Sequence, residues 1–123
     1  MTHPTFIMFY VENPTLSAQF YSQILEATPV ESSPMFALFM LDSGVKLGLW
    51  AKSDVQPQGD FGGSGFELGF AKATIPELQS TYQNWKAQGV KIIQDPTDMD
   101  FGHTFTAEDP DGHRLRVFVL NMQ

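Results

Sequence analysis

The feature that most constrains this chain is the order of its secondary-structure signals. A strand, a helix and three further strands follow one another, and the same order begins again about 60 residues later. Residues 5–11 (TFIMFYV) are dense in β-branched and aromatic side chains, as a buried strand requires. Asn13-Pro14-Thr15 then signals a helix start, with Asn13 or Thr15 as cap and Pro14 in the first turn. Leu16, Phe20, Ile24 and Leu25 recur at helical spacing, which predicts one buried face. Pro29 bars continuation, residues 28–32 read as a short strand, and residues 35–41 and 45–51 read as two more strands around the hairpin signal Asp42-Ser43-Gly44.

The second half repeats the pattern. Residues 66–71 form a strand, and Thr74 with Glu77 makes a capping box ahead of a helix that carries Leu78, Tyr82 and Trp85 on one face and stops at Gly89. Strands follow at residues 90–94, 101–108 and 113–120, the last two joined by the strong turn Asp109-Pro110-Asp111-Gly112. The expected division is a first βαβββ module over residues 1–52, a linker over 53–65 and a second module over 66–123. Gly62, Gly63 and Gly65 would loosen that linker, whose bulky apolar residues are Val55 and Phe61. The fold class is therefore α+β, with curved mixed sheets around a cavity.

Composition narrows the function classes. A formal charge of −7 repels nucleic acid and anionic membranes. The absence of cysteine excludes disulfides, thiolate catalysis and cysteine-bound zinc. No signal-peptide pattern and no apolar run of spanning length is present, so the expected setting is the cytoplasm. Eleven Phe, three Tyr and two Trp exceed what a core of this size needs, and some of them are candidates to line a cavity.

Glu108-Asp109-Pro110-Asp111-Gly112-His113 entering the last strand, Phe20-Tyr21 with Leu25 on the first helix, and the repeated order together resemble the vicinal-oxygen-chelate superfamily, the glyoxalase, extradiol dioxygenase and bleomycin-resistance proteins. The resemblance implies a small homodimer, with exchange of modules between protomers as the expected arrangement. Its metalloenzyme members carry His, Glu or Gln on four strands, and the corresponding positions here are Phe6, Gly48, Phe66 and Arg116. None of these offers a lone pair to a metal at neutral pH. The resemblance therefore implies the metal-free, drug-binding branch, the bleomycin- and phenazine-resistance proteins, which KLGLW at residues 46–50 and the ending DPDGHRLRVFVL also resemble.

Strand alternation places Phe6, Met8 and Tyr10, then Lys46, Gly48 and Trp50, then Phe66, Leu68 and Phe70, and finally Arg114, Arg116 and Phe118 on the face where ligands would lie. Trp50 offers a flat indole and one donor, for stacking a planar ligand or for packing in the core or dimer seam. Gly48 would leave room for a ligand lying flat. Arg116 must be paired or reach water, and either a ligand carboxylate or an internal acid such as Glu67, Glu108 or Asp109 would serve. His103 is expected at the cavity mouth, and His113 as a solvated or hairpin-bonding residue. His3 belongs to a frayed terminus. Asp95, Asp98 and Asp100 read as a solvated loop. The expected function is cofactor-free and metal-free sequestration of a small planar aromatic compound. The alternatives are a metal-dependent lyase, isomerase or dioxygenase using His103, His113 and Glu108, and an interaction module without a ligand.

Overall fold

A computed structural model describes residues 3–62 and 65–121. The chain forms two compact units, Met1–Phe61 and Gly62–Gln123. The first contains β1 (Phe6–Val11), α1 (Pro14–Leu25), β2 (Glu31–Ser32), β3 (Phe36–Met40) and β4 (Lys46–Ala51). The second contains β5 (Glu67–Ala71), α2 (Ile75–Ala87), β6 (Lys91–Met99), β7 (Gly102–Glu108) and β8 (Arg114–Leu120). Each unit holds one four-stranded mixed sheet, in the orders β1-β4-β3-β2 and β5-β8-β7-β6. The expected α+β class with a repeated βαβββ order is the observed one.

Both helices start where their capping residues stand. Asn13 accepts hydrogen bonds at Oδ1 from the backbone N–H groups of Thr15 and Leu16, at 3.1 and 3.2 Å. The hydroxyl of Thr74 accepts from the N–H of Glu77 at 3.3 Å. The buried face of α1 differs from the expected one. Ser17, Ala18, Tyr21 and Ile24 are buried, while Leu16 is 55% exposed. Apolar spacing alone marked Leu16 and Phe20; the small residues Ser17 and Ala18 instead permit close approach of the helix, and Tyr21 sits beside Phe9 with ring centroids 6.0 Å apart.

Residues 52–61 are attached to the first unit at several points. A 3-10 turn at Lys52–Asp54 follows β4, Val55 is buried, and Phe61 meets the Tyr10 ring at 4.4 Å. Gly63 of the expected linker lies outside the described residues.

Strand β6 is longer than the sequence suggests. The expected strand ended at residue 94, but the ladder with β7 runs through Pro96 to Met99, with register shifts between Ile92 and Gln94 and between Gln94 and Thr97. An edge strand tolerates proline at such irregularities because its outer N–H row needs no partner. Asp95 and Asp98 thus belong to a strand rather than a loop: Asp95 accepts from the Tyr82 hydroxyl at 2.8 Å, and Asp98 meets His103.

The turn before β8 follows its sequence signal closely. Gly112 adopts φ +85°, where a side chain would be strained. The buried Asp109 carboxylate accepts from the backbone N–H groups of Asp111 and His113 at 2.9 Å, and its second oxygen lies 2.7 Å from His113 Nδ1. His113 is buried and bonded within the hairpin rather than solvated.

Candidate functional site

In the first unit one face of the sheet is covered by the core and the other is open. Phe9, Val11, Leu47 and Leu49 are buried. The register sets Phe6 beside Lys46, Met8 beside Gly48 and Tyr10 beside Trp50 on the opposite face. Phe6 is 42% exposed and Met8 36%. Gly48 does not leave an empty place: a Cβ there would lie 2.8 Å from the Phe6 ring and 2.9 Å from the Met8 sulfur. The space of the missing side chain is filled by its neighbours on β1. Trp50 is half-buried, and its indole N–H donates to Asp54 Oδ2 at 2.8 Å, so the donor expected for a ligand is already used. Its ring meets Tyr10 edge-on at 6.2 Å.

The second unit corrects the reading of β5. Cα partners on neighbouring strands share a face, and β5 sets Leu68 beside Leu115 and Phe70 beside Val117. Phe70 packs edge-on against Trp85 of α2 at 5.4 Å, so it lies half-buried on the helix side. Phe66 precedes the strand and is exposed. Counting inward positions from Phe66 put the face one residue out of step. The open face carries Glu67 and Gly69 beside Arg114 and Arg116, with Phe118 next along β8.

His103 also moves. It lies opposite Val119 and in step with Phe105, on the helix side, away from Arg116. Its Nδ1 is 2.7 Å from Asp98 Oδ1, and Nε2 is buried without a hydrogen-bond partner. An Nδ1–H donor to Asp98 therefore suits it best, because a second N–H would be buried unpaired.

Arg116 stands at the centre of the open face. Its Nε donates to Glu67 Oε1 at 2.7 Å, and Nη1 donates to Gln94 Oε1 at 3.1 Å and to the Thr104 hydroxyl at 3.4 Å. Gln94 Oε1 also accepts from the Thr106 hydroxyl at 2.9 Å, and the Thr104 hydroxyl donates to the Val117 carbonyl at 2.8 Å. Of the expected internal partners the structure selects Glu67; Glu108 is instead paired with Lys91 at 3.2 Å. Three of the five guanidinium N–H groups are used, which leaves the two on Nη2 without a partner among the described residues.

Over this network lies a groove of about 350 Å³ lined by Glu67, Met99, Phe101, Arg116, Phe118 and Leu120. Four of the six side chains are apolar, and the Phe118 ring leans across β5 so closely that a Cβ on Gly69 would meet it at 3.2 Å. Beside it a polar pocket of about 250 Å³ is lined by Ile93, Gln94, Thr106, Arg114 and Arg116. Met99, Phe101, Leu120 and Gln94 were not legible as site residues. Their approach depends on the extended edge strand and the bend after it, and no local motif marks them.

The positions that hold metal ligands in the metalloenzymes of the resembling superfamily do not fit a divalent ion here. With the face of β5 corrected they carry Phe6, Gly48, Glu67 and Arg116, a single carboxylate already held by a guanidinium at 2.7 Å. Among the described residues no three His, Asp or Glu side chains are grouped to hold a metal, the set His103, His113 and Glu108 included.

Residues 3–117 match the model of the Glyoxalase/Bleomycin resistance protein/Dioxygenase superfamily. The chain belongs to this superfamily. A curated relative, the phenazine antibiotic resistance protein EhpR of Enterobacter agglomerans, is 27% identical over 121 residues, covering 96% of this chain and 92% of its own. A protein of Agrobacterium tumefaciens solved by solution NMR is 49% identical, with a TM-score of 0.90 over 99% of this chain and 100% of that one. A glyoxalase-related enzyme from Fulvimarina pelagi superimposes at a TM-score of 0.85 over 97% of this chain and 88% of that one. At 18% identity that likeness concerns the glyoxalase fold alone. None of the helices among the described residues is long and apolar enough to cross a membrane.

Proposed function

We propose that this glyoxalase-superfamily protein binds and holds a small planar aromatic compound, without a metal and without turning it over. The observation that carries the reading is the groove on the second sheet, where Phe101, Phe118, Met99 and Leu120 surround a floor set by Arg116 and Glu67. Its volume, about 350 Å³, suits a fused-ring molecule of two or three rings. Apolar walls supply affinity through burial and ring stacking, the latter about 0.5–1.5 kcal/mol per pair beyond the area buried. The two N–H groups on Nη2 and the Glu67 carboxylate fix orientation. The relative named for phenazine antibiotic resistance supports a ligand of this shape. We carry the cytoplasmic homodimer with exchanged modules as part of the proposal; binding in the groove does not depend on it.

The test is calorimetric titration of a panel of planar compounds, phenazine, acridine and naphthalene derivatives among them, into the wild-type protein and Phe118→Ala. Saturable binding is expected, and the variant is expected to weaken it about tenfold through lost stacking and burial. If no compound on the panel binds, the proposal fails. Trp50→Ala addresses the aromatic surface of the first unit. Trp50 is not among the residues that line the groove, so unchanged affinity for the panel is expected, and weakened affinity would show that the first unit carries an aromatic site of its own.

A further inference from the structure

We infer that the preferred ligand is an aromatic acid, its rings in the apolar groove and its anionic group in the adjoining polar pocket against Arg114. This rests on the reading of the groove as an aromatic site and adds the chemical class of the ligand.

The inference follows from how charge is distributed over the open face of the second sheet. Arg114 lies between Glu67 on β5 and Glu108 on β7 in the strand register, so two carboxylates are placed to neutralise it. Neither does. Glu67 is engaged by Arg116 at 2.7 Å and Glu108 by Lys91 at 3.2 Å. The Arg114 side chain has no hydrogen bond or ion pair among the described residues, and Arg114 lines the polar pocket of about 250 Å³. Arg116 is electrically balanced by Glu67, while Arg114 is not balanced, so the pocket carries a local positive charge in a chain whose formal net charge is −7. Acidic groups elsewhere on the surface are screened within about 8 Å at physiological ionic strength. The near field at the pocket is therefore set by its own arginine.

The neighbouring donors point the same way. Arg116, whose Nη2 is unused among the described residues, lines both the groove and the pocket. Among the described residues the Gln94 side-chain amide N–H has only the Met99 sulfur at 3.6 Å as acceptor, a weak partner that an oxygen anion readily replaces. An acid whose rings lie against Phe118 and Phe101 is therefore expected to place its anionic group in the pocket that Arg116, Arg114 and Gln94 line. The apolar groove and the cationic pocket share Arg116, and together they describe an amphiphilic ligand rather than a neutral hydrocarbon.

Matched probes separate this inference from the reading on which it rests. Phenazine-1-carboxylate is compared with phenazine-1-carboxamide, and 2-naphthoate with 2-naphthamide, by calorimetry at low and high salt. The acid of each pair is expected to bind about tenfold more tightly, with the advantage shrinking at high salt. Arg114→Gln is expected to bring the pair to within about twofold, and Arg114→Lys, which keeps the charge, to retain most of the preference. Arg114 is exposed on its strand, so both variants should fold, which circular dichroism checks. Equal binding of acid and amide by the wild type, or an undiminished preference in Arg114→Gln, overturns the inference while leaving the aromatic site standing. If neither member of a pair binds, the aromatic reading fails. The pocket is then judged by acetate titration, following the Arg114 Nε–Hε resonance by NMR: a saturable shift supports the anion subsite and none overturns it.

Discussion

Phe105→Ala is expected to destabilise the second unit by about 4 kcal/mol, near the upper part of the range for truncating a buried aromatic residue. Phe105 is fully buried and stands edge-on to Tyr82 at 5.3 Å and Trp85 at 5.6 Å, joining β7 to α2. No neighbour can close the space without moving the helix, so most of the cavity would persist. Urea denaturation followed by Trp85 emission, in a Trp50→Phe background, measures the loss. A decrease below about 2 kcal/mol would mean that the helix collapses onto the sheet and that the packing is softer than it looks. The effect reaches function because Phe105 lies between Thr104 and Thr106, whose hydroxyls hold Arg116 and Gln94 from the other face of the same strand.

The second large effect is expected at the turn between β7 and β8. Asp109→Ala removes three hydrogen bonds from a fully buried carboxylate, two to backbone N–H groups and one to the His113 ring. A loss of about 3 kcal/mol follows, since the donors left behind are partly shut off from water. Asp109→Asn keeps one acceptor oxygen and should lose roughly half as much. Denaturation midpoints check both values, and a loss below about 1 kcal/mol in the alanine variant would show that water replaces the carboxylate at little cost. Arg114 and Arg116 lie at the start of the strand that this turn launches, so binding of the planar probes should fall with stability in the same series.

Much of the fold was legible because its signals are local. Asn13, Thr74 and the Asp109-Pro110-Asp111-Gly112 turn each act through backbone groups within four residues of themselves, so their effect does not depend on the rest of the molecule. The shared face of Phe6, Met8, Tyr10 and Trp50 was legible only through the period of two counted from Phe6 and Gly48, positions that the resemblance supplied, because β1 is apolar throughout. The face of β5 was not. Phe66, Leu68 and Phe70 form a regular apolar series that fits either a ligand face or a helix face, and only the presence of Trp85 on α2 decides between them. His103 was misplaced for the same reason, its strand being pinned by pairing with β8 rather than by its own residues. The acidic stretch Asp95, Asp98 and Asp100 obscured the end of β6, because its local preference for a loop was outweighed by pairing along an edge.

The sequence by itself determined the repeated βαβββ order, the two capped helices and the last hairpin, all of which depend on residue type and short spacing. The tertiary structure alone decided which acid holds Arg116, which arginine is left unpaired, and which apolar side chains wall the groove. Those outcomes depend on strand parity and on neighbours many residues apart: Glu67 and Arg116 are 49 residues from each other in the chain and 2.7 Å apart in space. A shift of one residue in a strand exchanges its two faces, and that choice is settled only when the strand pairs and a helix packs against one side.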